Sequence, residues 1–237
     1  TVAHDYPEAL ASLDRGYATD FVLRPSNGHA VGIAMTPKVL RDGLLKSHIV
    51  FNAGVVEPMA KPKGTDFHLA LHVIAHECAH VEITQRFDQA FPGVLLQKRF
   101  PDPRIAYRWQ VITACWEEYA ATLFSATMGE NPIDGYEETL LKHLQEARPA
   151  ADLEIHLYRE HGNVDRVYGA VYVIYGGLMK YSAYFLGTLV GQQRNVAERA
   201  ELMCILQGHW FEPYFDRLKS ALKAIYAGYG RWTEPAV

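Results

Sequence analysis

Apolar and polar positions change rhythm along this chain. Near the N-terminus the apolar runs are short and punctuated by turn residues. Further along they recur at helical spacing over long stretches. Residues 6–13 read as a short helix, and residues 21–24 and 30–35 as two strands around Ser26-Asn27-Gly28-His29. Asn-Gly suits a tight hairpin turn, because both residues tolerate positive φ, and Pro25 keeps the first strand at an edge. Thr36-Pro37 has the form of a helix start, an N-cap followed by proline at the first helical position, and predicts a helix to about residue 46. Residues 48–52 form a third strand candidate, and residues 54–64, with Pro58 and Pro62, a loop.

Thr65 or Asp66 caps a helix expected to reach about residue 87. A proline-bearing loop and a helix over about 105–128 come next, ended by Asn131-Pro132-Ile133-Asp134-Gly135. Helices are expected over 136–147, 151–160, 164–190, 196–207 and 213–226. The fold class is therefore α+β, mostly α: a small N-terminal sheet within a core over residues 1–130, and a helical region over 131–237 packed on it.

The most apolar stretch, 167–191, is long enough to span a membrane. However, Lys180 sits in its middle, Gln192 and Gln193 follow at once, and its tyrosines are scattered rather than gathered at the ends. It reads as one or two buried core helices, so no membrane span is expected. The 237 residues, 49% hydrophobic and 21% charged, suffice for a sizeable core. The net charge of -4 carries no basic stripe, so direct nucleic-acid binding is not expected. The three cysteines Cys78, Cys115 and Cys204 form no CxxC pair, and Cys78 and Cys115 read as small core residues. Together with an N-terminus that lacks signal-peptide character, they point to a reducing, cytoplasmic setting. The missing initial Met suits a processed protein or a fragment.

The chemistry concentrates in His76-Glu77-Cys78-Ala79-His80, an HExxH pattern inside the helix predicted from residue 66. Residues four apart share a helical face, so the two imidazoles can reach one zinc ion. Glu77, one step round the helix, is placed to act as general base on a metal-activated water. A hydrolytic zinc site usually has a third protein ligand. The extended pattern with glycine at 83 and histidine at 86 is excluded by Ile83 and Arg86. A glutamate on a second helix, Glu118 or Glu117, and an aspartate, Asp165, remain open.

The segment Glu118-Tyr119-Ala120-Ala121-Thr122-Leu123-Phe124-Ser125-Ala126 resembles the ExxA(N/D)xFA segment of gluzincin peptidases, closest to the ImmA/IrrE family of intracellular bacterial peptidases. The resemblance covers about residues 30–130. It implies a zincin-like core with His76, His80 and Glu118 as zinc ligands, Glu77 as base, and a strand of the sheet just ahead of the HExxH helix. Glu117 fits the register less well. Many gluzincins carry Asp or Asn four residues after the ligand glutamate, where it orients a zinc histidine. This chain has Thr122, so either Thr122 makes that second-sphere bond or another carboxylate does. Gly162-Asn163-Val164-Asp165-Arg166-Val167-Tyr168-Gly169 resembles the GTxDxxYG motif of aspzincins, in which the aspartate binds zinc; Asn163 or Asp165 equally suits a helix cap.

His68 and His72 continue the four-residue spacing back from His76. His68 drifts off the metal face, and His72 stands near the site, either against substrate or as a hydrogen-bonded structural histidine. Tyr136, His143, His156, His161 and Tyr168 include possible donors to a developing oxyanion. The expected activity is zinc-dependent hydrolysis of a protein or peptide substrate, with an edge strand aligning the extended chain. The rival is a non-catalytic, zincin-like regulatory or binding module.

Overall fold

The computed structural model describes residues 1–25, 32–64 and 66–232. They divide into two units, Thr1–Lys98 with Phe124–Asn131, and Arg99–Leu123 with the chain from Pro132 onward. The α+β, mostly α class holds, with the strands confined to the N-terminal region.

In the first unit a three-stranded sheet has the order β1 (Val2–Ala3), β5 (Val50–Asn52), β2 (Ala34–Met35). β1 runs parallel to β5, with Val2 opposite Phe51, and β2 runs antiparallel, with Ala34 opposite Phe51. The helix α1 (Tyr6–Ala11) starts where the Asp5 carboxylate accepts from the Glu8 N–H at 3.0 Å. Tyr6, Leu10 and Val50 form a small core with Ala9, Leu13, Leu23 and Met35 packed against it.

The helix expected after Thr36-Pro37 is instead a hairpin, β3 (Lys38–Arg41) and β4 (Leu44–Ser47). Asp42 and Gly43 both take positive φ, 53° and 75°. That pair forms a tight two-residue hairpin turn and cannot continue a right-handed helix. Residues 21–24 form no strand. The Phe21 carbonyl accepts from Arg15 Nη2 at 3.0 Å, so a side chain takes the place of a strand partner. The Asn27-Gly28 turn and the Thr65 cap lie outside the described residues. Within the expected loop 54–64 the chain winds into α2 (Ala53–Val56) and a 3₁₀ turn, Glu57–Ala60. The long helix α3 (Asp66–Ala90) then carries the HExxH residues.

The second unit is built on α4 (Pro103–Ser125), whose last two residues count with the first unit, and on the helical hairpin α5 (Ile133–His161) and α6 (Val164–Gly191). The two helices expected over 136–160 are one. Pro149 lies inside α5 and removes a backbone hydrogen bond, yet the buried stripe Leu140, Leu144, Ala147, Ala151 continues past it. Packing outweighs the break. Gly162 closes α5 with φ 63°, and Asn163 caps α6 by accepting from the Arg166 N–H at 3.0 Å.

α6 lies along α4 in parallel, at glycines. A Cβ on Gly176 would stand 2.8 Å from Val111 Cγ2, and one on Gly187 would stand 2.2 Å from both the Tyr119 carbonyl oxygen and Thr122 Oγ1. The segment expected as a helix over 196–207 divides into a 3₁₀ turn, Val196–Glu198, with an Asn195/Glu198 capping box, and α7 (Ala200–Leu206). α8 (Glu212–Ala227) ends the described helices. Tyr226 reaches the Tyr119 ring, and Tyr229 and Trp232 reach Trp116. Among the described residues no helix is long and apolar enough to cross a membrane, α6 included.

Candidate metal centre

The site begins with the pitch of α3. His72, His76 and His80 follow one another at one-turn intervals, each step drifting about 40° round the axis. His76 is buried and His80 partly exposed. Their Nε2 atoms are 3.2 Å apart, with ring planes at 83°. Two nitrogens each about 2.0–2.1 Å from a tetrahedral zinc stand about 3.3 Å apart, so the pair fits that ion.

Glu77 is 7% exposed, and its carboxylate is held rather than free. Thr36 Oγ1, the residue just after β2, donates to Glu77 Oε2 at 2.6 Å. The buried Tyr6 phenol also lies in the field of this carboxylate. Burial first, and the Glu77 charge second, push its pKa above the usual tyrosine range. The Tyr6 hydroxyl has no hydrogen-bond partner among the described residues.

His72 is buried beside His76, the ring centroids 6.3 Å apart. Its Nδ1 faces the Met128 carbonyl at 3.2 Å, and because a carbonyl only accepts, that nitrogen carries the proton. Burial, then the neighbouring His76, lowers the His72 pKa, while the Met128 and Ser125 carbonyls oppose the shift. The loop after α4 is fixed here by Gly129 (φ 76°), where a Cβ would stand 2.2 Å from the His68 carbonyl oxygen, and by the Glu130 N–H donating to that same oxygen at 2.9 Å. The His68 side chain is exposed.

On α4, Glu118 is partly buried and accepts a hydrogen bond from the Tyr184 hydroxyl of α6. The Tyr184 phenol is held well above its usual pKa by burial first and the Glu118 charge second, so it stays protonated and acts as the donor. Burial, with the Glu118 charge second, also raises Tyr181, and it pushes the Cys115 thiol up to about 12. One ligand atom from each of His76, His80 and Glu118 lies within 4.8 Å of the other two.

Glu117, the adjoining position, stands outside that group, as does Asp165. Asp165 is exposed in the first turn of α6, in a hollow with Asp102, Arg104 and Tyr168. Along α6 it is about 28 Å from Tyr184. Thr122 is fully buried, but its hydroxyl donates within its own helix, to the Glu118 and Tyr119 carbonyls at 2.8 and 3.1 Å. Of the five possible oxyanion donors, Tyr136 packs tilted beside Tyr184 and His143 stacks on Tyr181, at the Glu118 end of the hairpin. His156, His161 and Tyr168 belong to its other end.

No protein-family model, curated protein or solved structure matches this chain. The likeness to gluzincins therefore rests on the HExxH residues and the segment beginning at Glu118. Thr36, Tyr6 and Tyr184 are site residues that sequence reasoning passed over. Thr36 reads as a helix cap and Tyr6 as the first residue of a short helix. Tyr184 sits in a run whose apolar character masked its hydroxyl. A tyrosine pair at i and i+3, Tyr181 and Tyr184, inside such a run was the available signal.

Proposed function

We propose that this chain is a zinc-dependent metallopeptidase in which His76, His80 and Glu118 hold one zinc ion and Glu77 is the general base. The observation that carries the reading is the 3.2 Å separation of the His76 and His80 Nε2 atoms. Bound zinc supplies a Lewis acid and lowers the pKa of a coordinated water. Glu77 then accepts a proton at a carboxylate oxygen and passes it to the departing amine. Thr36 fixes the other oxygen through its 2.6 Å hydrogen bond. That bond also ties the base to β2, which among the described residues stands at the edge of the sheet and offers main-chain groups to an extended peptide. The proposed substrate is accordingly a protein or peptide. The three cysteines are all free, which suits a cytoplasmic setting.

A separation of 3.2 Å is also a hydrogen-bond distance between two imidazoles. It therefore also fits a second reading, a metal-free, non-catalytic module. The Glu77→Gln variant tests the first. It is expected to bind zinc as the parent does and to lose cleavage of a peptide library read by mass spectrometry. Undiminished cleavage would refute the base assignment.

A further inference from the structure

Resting on the reading of Glu118 as a metal ligand, we propose that Tyr184 is the positioning residue for that ligand. Its hydroxyl holds one carboxylate oxygen of Glu118 and leaves the other to the ion.

Three observations converge on it. The position four residues after Glu118 is Thr122, and its hydroxyl proton goes to backbone carbonyls of its own helix. It therefore orients no side chain by donation. Next, α6 approaches α4 closely at this level. A Cβ on Gly187 would stand 2.2 Å from the Tyr119 carbonyl oxygen and Thr122 Oγ1, so only glycine allows the approach. Tyr184, nearly one turn earlier on α6, then meets Glu118, the residue before Tyr119, and donates to its carboxylate. Finally, the Tyr184 ring is held from two sides. The Tyr136 ring centroid is 5.0 Å away at 44°, and that of Tyr181 5.6 Å away at 23°. Tyr181 is itself stacked on His143 at 4.6 Å.

A donor fixed in this way serves the purpose of outer hydrogen bonds at metal sites. It selects one rotamer of the ligand and stabilises its charged form before the ion arrives. A phenol fits this position better than a carboxylate, which would repel Glu118.

The test is the zinc dissociation constant of the intact chain, measured by chelator competition, for the parent, Tyr184→Phe and Tyr175→Phe. The ligand-field spectrum of each protein loaded with cobalt is recorded alongside. Tyr184→Phe should weaken zinc by about 10–100-fold and alter the cobalt spectrum. Tyr175→Phe removes a hydroxyl more than two turns away on α6, beside Trp210, and should change neither. Should Tyr184→Phe fail to fold, 3-fluorotyrosine placed at 184 in the parent gives a second reading. Its fluorine signal should move when zinc is added, and a stationary signal contradicts the proposal. Unchanged affinity and spectrum in folded Tyr184→Phe would overturn the positioning role while leaving the zinc site standing. A parent that binds no zinc would overturn the functional reading itself.

Discussion

α3 and α6 are helices of similar length that bury different kinds of residue. α6 buries Leu178, Phe185, Leu186 and Leu189, and the hydroxyls of its buried Ser182 and Thr188 are satisfied within the helix, while the Tyr184 hydroxyl reaches out to Glu118. Ser182 donates to the Leu178 carbonyl at 2.8 Å and Thr188 to that of Tyr184 at 2.9 Å. α3 buries His72, His76, Glu77 and Thr84 among its apolar residues. Its polar groups reach outside the helix: Glu77 to Thr36, and His72 to Met128. Burying such groups costs free energy unless partners are supplied, and packing alone gives no reason to put them there. The contrast separates α6, which adds one hydroxyl to the proposed centre and otherwise packs the fold, from α3, whose buried polar groups make up most of that proposed centre.

Three changes probe that contrast, the largest first. Leu186→Ala removes a side chain only 2% exposed and should cost about 2–5 kcal/mol in denaturant unfolding. The zinc affinity of the folded fraction should not change. A parallel loss of affinity would show that α6 packing and the metal centre are not separable. Thr36→Val keeps the shape but leaves the Glu77 carboxylate without its 2.6 Å donor, at a cost of about 1–3 kcal/mol. Thr36→Ser should recover most of it. Equal stability of the valine variant would mean that Glu77 needs no partner from β2.

The smallest effect is one of pH. In the folded protein the His72 pKa lies below its ordinary 6.5, so on acidification the unfolded chain takes up the proton first. Stability is complete above about 6.5 and declines as pH falls toward the lowered folded value. His48 and His209 are lowered as well, so His72→Asn should flatten part of the slope of melting temperature against pH. An unaltered slope would remove His72 from the account.

The same contrast explains what could be read before the fold was known. α6 was visible as an apolar run, and the meeting of His76 and His80 follows from their spacing alone, because helical pitch is a local property. Glu118 came from a resemblance, since no local rule links residues 76 and 118. The hairpin at 38–47 was misread because Thr36-Pro37 imitates a helix start, while the informative pair, Asp42-Gly43, lies six residues on. A gap is expected between 147 and 151 because propensity is local, whereas the stripe that carries α5 past Pro149 is tertiary. The Thr36–Glu77 and Tyr184–Glu118 bonds join residues 41 and 66 positions apart, beyond any local pattern. Asn163 as a cap was legible, and it accounts for the segment that resembles an aspzincin motif.

The central claim, a metal held by an imidazole pair on one turn of α3, is tested most directly by elemental analysis of the purified chain and of His80→Ala after dialysis against zinc. The account predicts one zinc per parent chain and none retained by the variant. A folded parent that stays metal-free, or a variant that keeps its zinc, would contradict it.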